Sequence, residues 1–212
     1  MTRAKFPEPP TVPELKRFGI RRSERITFEA GTRLWRIYFQ GGPHPTTWNR
    51  FRAWGPTGSR FDPQPPPPGP SDREILYAAA LGPVCVAEVF QETRTVDRRR
   101  NDPWLVAFET TRDLTLLDLA GAWPTRAGGS QAISSGPRKR AQRWSREIYE
   151  AFPVLDGLRY PSSMAGGEAA FALYDRAEDA LPVFPSFHRA LADPTILAAL
   201  KGAARRFGYV VV

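Results

Sequence analysis

The sequence has few residues of the kinds that build disulfides and metal centres. It contains one cysteine, Cys85, and two histidines, His44 and His188. One cysteine cannot form an internal disulfide, and two distant histidines do not make the cysteine and histidine cluster that zinc requires. We therefore expect neither a disulfide nor a metal ion, and catalysis driven by histidine has little support.

Long apolar runs are also absent. No uninterrupted apolar stretch approaches the roughly 20 residues that a membrane-spanning helix needs. The N-terminus is rich in proline and charge and lacks the apolar centre of a signal peptide. These absences predict a cytoplasmic protein that does not span a membrane.

Several common catalytic motifs are missing. The sequence has no Gly-x-x-x-x-Gly-Lys-Ser/Thr phosphate loop and no Gly-x-Gly-x-x-Gly, Gly-x-Ser-x-Gly or His-Glu-x-x-His pattern. These patterns are typical of nucleotide hydrolases, dinucleotide-binding folds, esterases and zinc peptidases respectively. All four classes therefore lose support.

Charge is plentiful but scattered. The 212 residues are 42% apolar, enough for the core of one globular domain, and the formal net charge is +8. Basic clusters occur in residues 16–25, 94–100, 138–146 and 201–206, without one dominant tail. Such clusters are more typical of solvated faces, or of surfaces for acidic protein partners, than of nucleic-acid binding. A non-enzymatic module that docks on a protein or a polyanion is thus a low-ranked alternative.

Short strands and helices alternate irregularly along the chain. Aromatic and branched residues predict strands at residues 33–39, 75–79, 104–108, 114–119, 158–161 and 170–174. Helices are predicted from Gly82 past Glu88, over residues 138–151, and from Asp193 to about Phe207. The polar turn at 110–113 predicts that its two flanking strands form a hairpin. Together these elements predict a single-domain α/β (α+β) protein with short mixed and antiparallel strands and surrounding helices.

Two segments are rich in proline. Residues 1–14 are predicted to lack fixed structure or to wrap over the surface. Residues 55–72 contain the run Pro65–Pro68, which removes amide donors and excludes regular structure. Because Arg60 stands at the start of this segment, we expect a stiff loop that holds a guanidinium at a binding cleft.

Glu88 is a lone carboxylate in an otherwise uncharged run from Pro83 to Phe90. An inward-facing carboxylate there needs cationic or hydrogen-bonding partners, because an unpaired buried charge is costly. Arg36, in the first predicted strand, and Arg60 are candidate partners. Two arginines and one glutamate indicate an anionic ligand with a positive centre. The alternative is a solvated helix residue in a structural ion pair.

These residues occur in an order that resembles the RES-domain family, named for an arginine, a glutamate and a serine. The likeness covers about residues 33–175. It consists of Leu34-Trp35-Arg36-Ile37, Gly58-Ser59-Arg60-Phe61, Leu76-Tyr77-Ala78, Ala87-Glu88, Trp144 and the run Asp156-Gly157-Leu158-Arg159-Tyr160-Pro161-Ser162. The sequence departs from the family where Phe61-Asp62 replaces the frequent Trp-Asn and where Ser163 replaces a frequent arginine.

The resemblance implies an ADP-ribosyltransferase-like fold and an NAD-degrading toxin of a bacterial toxin–antitoxin pair. Such a toxin cleaves the nicotinamide–ribose bond by phosphorolysis or hydrolysis, so NAD is a substrate and no cofactor is needed. The alternative within the family is transfer of ADP-ribose to a protein target. The implied domain division is a proline-rich, basic arm over residues 1–30 and a RES-like NAD-binding domain over residues 31–212.

The resemblance also implies the partners. The main one is an antitoxin with an Xre-type helix-turn-helix region, through which any contact with nucleic acid would be indirect. Inorganic phosphate is a candidate second substrate, and a second copy of the chain is a candidate partner in a homodimer.

The chemistry of NAD cleavage suggests a role for each motif residue. Glu88 is the central catalytic candidate, because a carboxylate stabilises the positive charge that grows on ribose. Arg36 and Arg60 are expected to bind the pyrophosphate, and Arg36 is also a catalytic candidate. Tyr77 offers a ring face to nicotinamide. Ser162 is both a catalytic and a binding candidate that hydrogen-bonds ribose, phosphate or the nucleophile.

Each motif residue also has an ordinary structural explanation. Arg36 is also consistent with the outward residue of an alternating strand, and Arg60 with a mobile loop charge. A tyrosine such as Tyr77 is more often a core residue than a ligand platform, and Ser162 is also consistent with a turn hydroxyl. Cys85 is expected to be a small buried apolar residue, because nothing near it in the sequence marks an activated thiolate.

Overall fold

The structure is a computed structural model that describes residues 6–212. The strands are β1 (Arg25–Phe28), β2 (Arg33–Phe39), β3 (Arg52–Gly55), β4 (Gly69–Ala79), β5 (Thr95–Val96), β6 (Pro103–Glu109), β7 (Leu114–Asp118), β8 (Gly157–Pro161), β9 (Ala169–Tyr174), β10 (Phe187–Ala190) and β11 (Val210–Val211). The helices are α1 (Val12–Phe18), α2 (Gly82–Val89), α3 (Trp123–Arg126), α4 (Arg138–Ala151) and α5 (Leu197–Arg206).

Within residues 6–212, nine strands form one mixed sheet, and β5 and β11 form a small parallel one. The large sheet runs in the order β1-β7-β8-β9-β4-β2-β6-β10, with β3 paired to β4 outside this path. The β7–β8 pair is parallel and the other neighbours are antiparallel. The predicted single-domain mixed α/β fold is confirmed.

The two faces of the sheet bury separate apolar clusters, and strand alternation decides which side chain joins which cluster. On β4, Ile75 and Ala79 pack with the helices α2, α4 and α5, whereas Leu76 and Ala78 pack on the other face. Tyr77 falls on the first face by the same alternation and packs against the cluster that contains α2. The sheet therefore turns Tyr77 toward the helix that carries Glu88.

Helix α2 is short and mostly buried. Pro83 occupies its first turn, where a missing N–H does no harm. The next four residues, 84–87, are at most 5% exposed and anchor the helix on β2, β4 and α5. Glu88 follows this buried stretch, so its carboxylate is carried by a rigid element.

The helix predicted over residues 138–151 is confirmed as α4. Ala141, Trp144 and Ile148 recur at helical intervals and are fully buried. The Trp144 indole N–H donates to the carbonyl of Pro7 at 3.0 Å, and the ring of Phe6 stacks on Trp144 with centroids 6.2 Å apart. The helix thus binds the N-terminal segment along its length.

Residues 6–11 wrap over α4, and a helix begins at Val12, with Leu15 fully buried. Of the two alternatives predicted for residues 1–14, the described part fits surface wrapping, whereas Met1–Lys5 lie outside the described residues. Strand β1 joins the large sheet beside β7. The division between arm and domain at residue 30 stays a prediction.

The predicted hairpin at 104–119 is wrong. Both strands form, but β6 pairs with β2 and β10, while β7 pairs with β1 and β8. The intervening turn bonds to other segments, because Thr110 exchanges backbone hydrogen bonds with residues 31 and 32, and Thr111 donates to Ala180. Those contacts lead the two strands to separate parts of the sheet.

The prediction of irregular structure over residues 55–72 is wrong at both ends, because Gly55 ends β3 and residues 69–72 already belong to β4. Its Pro70 pairs with Trp54 on β3, which is only four residues long. The N–H that proline lacks therefore removes few hydrogen bonds between the two strands. The strands predicted at 33–39, 75–79, 158–161 and 170–174 are confirmed. The last helix is confirmed too, with Asp193 accepting from the backbone of Thr195 before α5 and a φ of +70° at Gly208 after it.

Gly157 provides a test of strand packing between β8 and β9. A Cβ at this position would lie 2.9 Å from the Leu173 Cα and closer still to the Ala172 carbonyl, both of which are backbone atoms. We expect Gly157→Ala to lower the free energy of unfolding by about 1–3 kcal/mol, as overpacking does. Denaturant unfolding measures this change.

Gly202 is the matched control. It lies in α5 and has no atom within 4 Å of an added Cβ. Gly202→Ala should therefore leave stability unchanged or raise it by up to about 1 kcal/mol, because alanine favours a helix. Equal effects of the two substitutions would contradict the close approach of β8 and β9.

Candidate active site

A cleft of about 1300 Å³ opens beside α2, β3 and β4. Strands β2 and β4 pair at Trp35 and Ala79 and then diverge, and Arg36 follows Trp35 in the gap. Arg36, Arg60, Tyr77 and Glu88 all line this cleft. Ser162 is buried next to it and bonds to Glu88, so the structure brings together all five residues that the sequence singled out.

Glu88 and Ser162 are joined by a side-chain hydrogen bond. The Ser162 hydroxyl donates to Glu88 Oε1 at 2.5 Å and accepts from the backbone N–H groups of Met164 and Ala165 at 3.2 and 3.1 Å. Ser162 is 1% exposed. Because the backbone amides orient the hydroxyl, its proton points to Glu88 and fixes that carboxylate at the cleft.

Arg36 is a cation without a carboxylate partner among residues 6–212. Its Nη1 donates to the Arg50 carbonyl at 3.2 Å, and none of the ion pairs in this part of the chain includes it. Burial lowers the pKa of Arg36 to about 10, and neighbouring Arg52 acts in the same direction. The guanidinium remains charged at neutral pH, and an anion in the cleft would stabilise it.

Arg60 has a similar environment. Its Nη1 donates to the Gly136 carbonyl at 2.6 Å, just before α4, and no acidic side chain of the described residues pairs with it. Burial lowers the pKa of Arg60, nearby Arg138 lowers it further, and Glu88 opposes the shift. The cleft therefore holds at least two guanidiniums, those of Arg36 and Arg60, that have no acidic partner among the described residues.

Asp62 organises the loop that carries Arg60. This fully buried carboxylate accepts from Arg52 at 2.5 Å, from the Thr57 amide and hydroxyl at 2.6 and 2.8 Å, and from the Tyr77 hydroxyl at 2.9 Å. Tyr77 in turn accepts from the amide of Phe61 at 3.0 Å. The Tyr77 hydroxyl thus holds the loop in place, and its ring lines the cleft.

Comparisons with known proteins identify the family of the chain. A family model for the RES domain matches residues 33–193. The chain belongs to the RES domain family. No curated protein matches the sequence significantly.

Among solved structures, this RES domain is similar to a chain in the crystal structure of the MbcT–MbcA toxin–antitoxin complex of M. tuberculosis. The TM-score is 0.57 and the identity 16%, over 90% of this chain and 96% of that chain. At this identity the likeness shows a shared fold.

Two residues at the site of the RES domain, Gln142 and Tyr160, were not predicted from the sequence. Gln142, buried on α4, donates to the carbonyls of Thr57 and Ser59 at 2.7 Å each, and Tyr160 lines the cleft with its ring 4.7 Å from that of Phe61. Gln142 sits in a helix rich in charge and gives no signal in the sequence. Tyr160 lies in the motif that ends at Ser162, so its place two residues before Ser162 was the sequence signal that could have predicted it.

Residues 6–212 contain no group of three histidine, cysteine or acidic side chains placed to hold a metal ion, and no helix long and apolar enough to cross a membrane. Cys85 is free and buried in α2, and it contributes to the cleft wall. Burial, and then the charge of Glu88, raise the pKa of Cys85 to about 12. The expectation of a buried, unactivated thiol is therefore confirmed.

Asp62 provides a test of the loop. We expect Asp62→Ala to lower the free energy of unfolding by about 2–3 kcal/mol, because Arg52, Thr57 and Tyr77 would lose a shared buried acceptor. Asp62→Asn retains an acceptor oxygen of the same size and should cost less. Chemical denaturation of both variants measures the difference, and an Asp62→Ala protein as stable as wild type would contradict this role.

Cys85 provides a test of burial near Glu88. With a pKa raised to about 12, only about one thiol in ten thousand is ionised at pH 8, so alkylation by iodoacetamide should be very slow in the folded protein. Mass spectrometry follows the reaction, and unfolded protein at the same pH is the control. Rapid modification of the folded protein would contradict the buried position of the thiol.

Proposed function

We propose that this RES domain cleaves the nicotinamide–ribose bond of NAD, with inorganic phosphate or water as the acceptor. One observation carries the proposal: the Glu88 carboxylate, bonded to Ser162, shares a cleft with Arg36 and Arg60, which lack acidic partners among the described residues. NAD has the complementary charges, since its pyrophosphate is anionic and its nicotinamide ring is cationic. Membership of the RES domain family supports the same substrate.

Arg36 and Arg60 are proposed to bind the pyrophosphate. A guanidinium presents a planar fork of donors that matches two phosphate oxygens at once, which a lysine ammonium does not. Each of these arginines makes one hydrogen bond to a backbone carbonyl, so most of its donors remain available. Binding an anion would also offset the cost of their burial.

Glu88 is proposed to stabilise the reacting ribose. When the glycosidic bond breaks, its electron pair leaves with nicotinamide, which departs neutral, and positive charge develops on the ribose ring. A fixed carboxylate stabilises that charge more than it stabilises the ground state. Phosphate or water then attacks the same carbon and yields ADP-ribose 1-phosphate or ADP-ribose, with loss of a proton when water attacks.

Ser162 is proposed to act through Glu88. Its only proton is donated to Oε1, so in this arrangement it orients the carboxylate toward the cleft. Its oxygen also lies next to residues 163–165, which form the adjacent loop, and Ser163 lines the cleft. Contact of Ser162 with a ribose hydroxyl requires rotation away from Glu88, which makes orientation the favoured role.

The biological role is proposed to be that of a toxin in a toxin–antitoxin pair acting on cytoplasmic NAD. The similar chain of M. tuberculosis belongs to a toxin–antitoxin complex, and NAD depletion would stop growth. An antitoxin, of the Xre type in this proposal, would protect the cell by closing the cleft. Trp54, Leu81 and Val89 are exposed apolar side chains, and Trp54 and Val89 line the cleft, where a protein could cover them.

Nicotinamide release by a Glu88→Gln variant tests the proposal. Glutamine preserves the size of the side chain and removes its charge, so we expect the rate of NAD cleavage to fall by about 10²–10³-fold. Chromatography of nicotinamide and the ribosyl product measures the rate with and without phosphate. Glu150→Gln is the matched control, because Glu150 pairs with Arg73 outside the cleft.

The products distinguish the outcomes. A sugar phosphate formed only with phosphate indicates phosphorolysis, free ADP-ribose indicates hydrolysis, and ADP-ribose attached to protein indicates transfer. Expression of wild-type protein should arrest growth while the Glu88→Gln variant should not. An unchanged rate of nicotinamide release in a folded Glu88→Gln protein would contradict the role of the carboxylate.

A further inference from the structure

Trp54 is unusually exposed for a tryptophan. Among the tryptophans of residues 6–212 it alone is largely exposed, at 54%, and it lines the cleft. Exposure of an indole costs free energy, because its large apolar surface remains in contact with water. A large aromatic group at the wall of a binding cleft is the kind of surface that a planar ligand would cover.

The strand register orders these residues along β4. Arg52 on β3 pairs with Ile75, two residues from Tyr77, and Trp54 pairs with Pro70, after a shift of register between Arg52 and Trp54. Arg52 therefore lies between Tyr77 and Trp54 along this edge of the cleft.

The groups between Tyr77 and Trp54 suit the middle of a dinucleotide. Arg36 and Arg52 lie close enough for their charges to interact, and both line the cleft. Arg52 is held by Asp62, whereas Arg36 lacks an acidic partner among the described residues. The order along the cleft is therefore an aromatic ring, cationic groups and a second aromatic ring.

We propose that Trp54 binds the adenine base of NAD by stacking and that it thereby selects the dinucleotide over nicotinamide mononucleotide. This inference rests on the proposed function of the same cleft. Stacking of a base on an aromatic side chain tolerates any base, because every base has a π face, and its loss on substitution by alanine corresponds to about 5- to 150-fold in affinity. Trp54 is distant from the reacting bond, so it contributes binding without chemistry.

The test compares two substrates in two variants. Trp54→Ala should raise KM for NAD by about 5- to 150-fold, with little change in kcat, and should leave KM for nicotinamide mononucleotide unchanged. Trp54→Phe should restore most of the affinity for NAD, because phenylalanine keeps a ring face. Phe184→Ala, at an exposed aromatic residue outside the cleft, is the control.

A binding measurement separates this inference from the proposed cleavage. Calorimetric titration of wild-type and Trp54→Ala proteins with ADP and with inorganic pyrophosphate needs no turnover. If Trp54→Ala weakens the binding of ADP but not that of pyrophosphate, the result supports stacking of the base, even where NAD is not cleaved. Equal effects on ADP and pyrophosphate, or no effect on either, would overturn the inference and assign Trp54 to a protein-docking surface.

Discussion

The buried carboxylate of Asp62 determines which arginines of the cleft remain available to a ligand. It neutralises Arg52 and at the same time holds Tyr77 and the backbone of Thr57. A fully buried charge must be paired and hydrogen-bonded, and Asp62 satisfies both conditions within the loop that carries Arg60. Arg36 and Arg60 receive no such partner among the described residues, so their donors remain available to the anion of the proposed substrate.

The loop is held from a second side by α4 and the segment before it. Gln142 binds two of its carbonyls, and the Gly136 carbonyl accepts from Arg60. A Cβ on Gly136 would lie 3.2 Å from the ring of Phe6, which shows that the N-terminal segment packs directly on this glycine. Residues far apart in the sequence thus support one guanidinium, and the N-terminal segment packs behind the carbonyl that holds it.

The elements of this fold were largely predictable, whereas their partners were not. The helices predicted from Gly82 and over residues 138–151 formed as α2 and α4. The partners of β6 and β7 in the sheet depended on backbone contacts of Thr110 that no local pattern encodes. At the site, an ordered set of short motifs identified Glu88 and its neighbours, but Asp62 and Gln142 are recognised by burial and geometry, which a single sequence does not contain.

A cleft that combines a fixed carboxylate with several guanidiniums suits the proposed reaction, whose leaving group departs neutral. In that reaction nicotinamide needs no proton from the enzyme as its bond to ribose breaks, so fixed charges can replace the acid and base pairs that many hydrolases use. Fixed charges are effective only when they do not reorganise during the reaction. Four buried residues anchor α2, and two backbone amides orient the hydroxyl that holds Glu88, so the framework supplies that rigidity before a substrate binds.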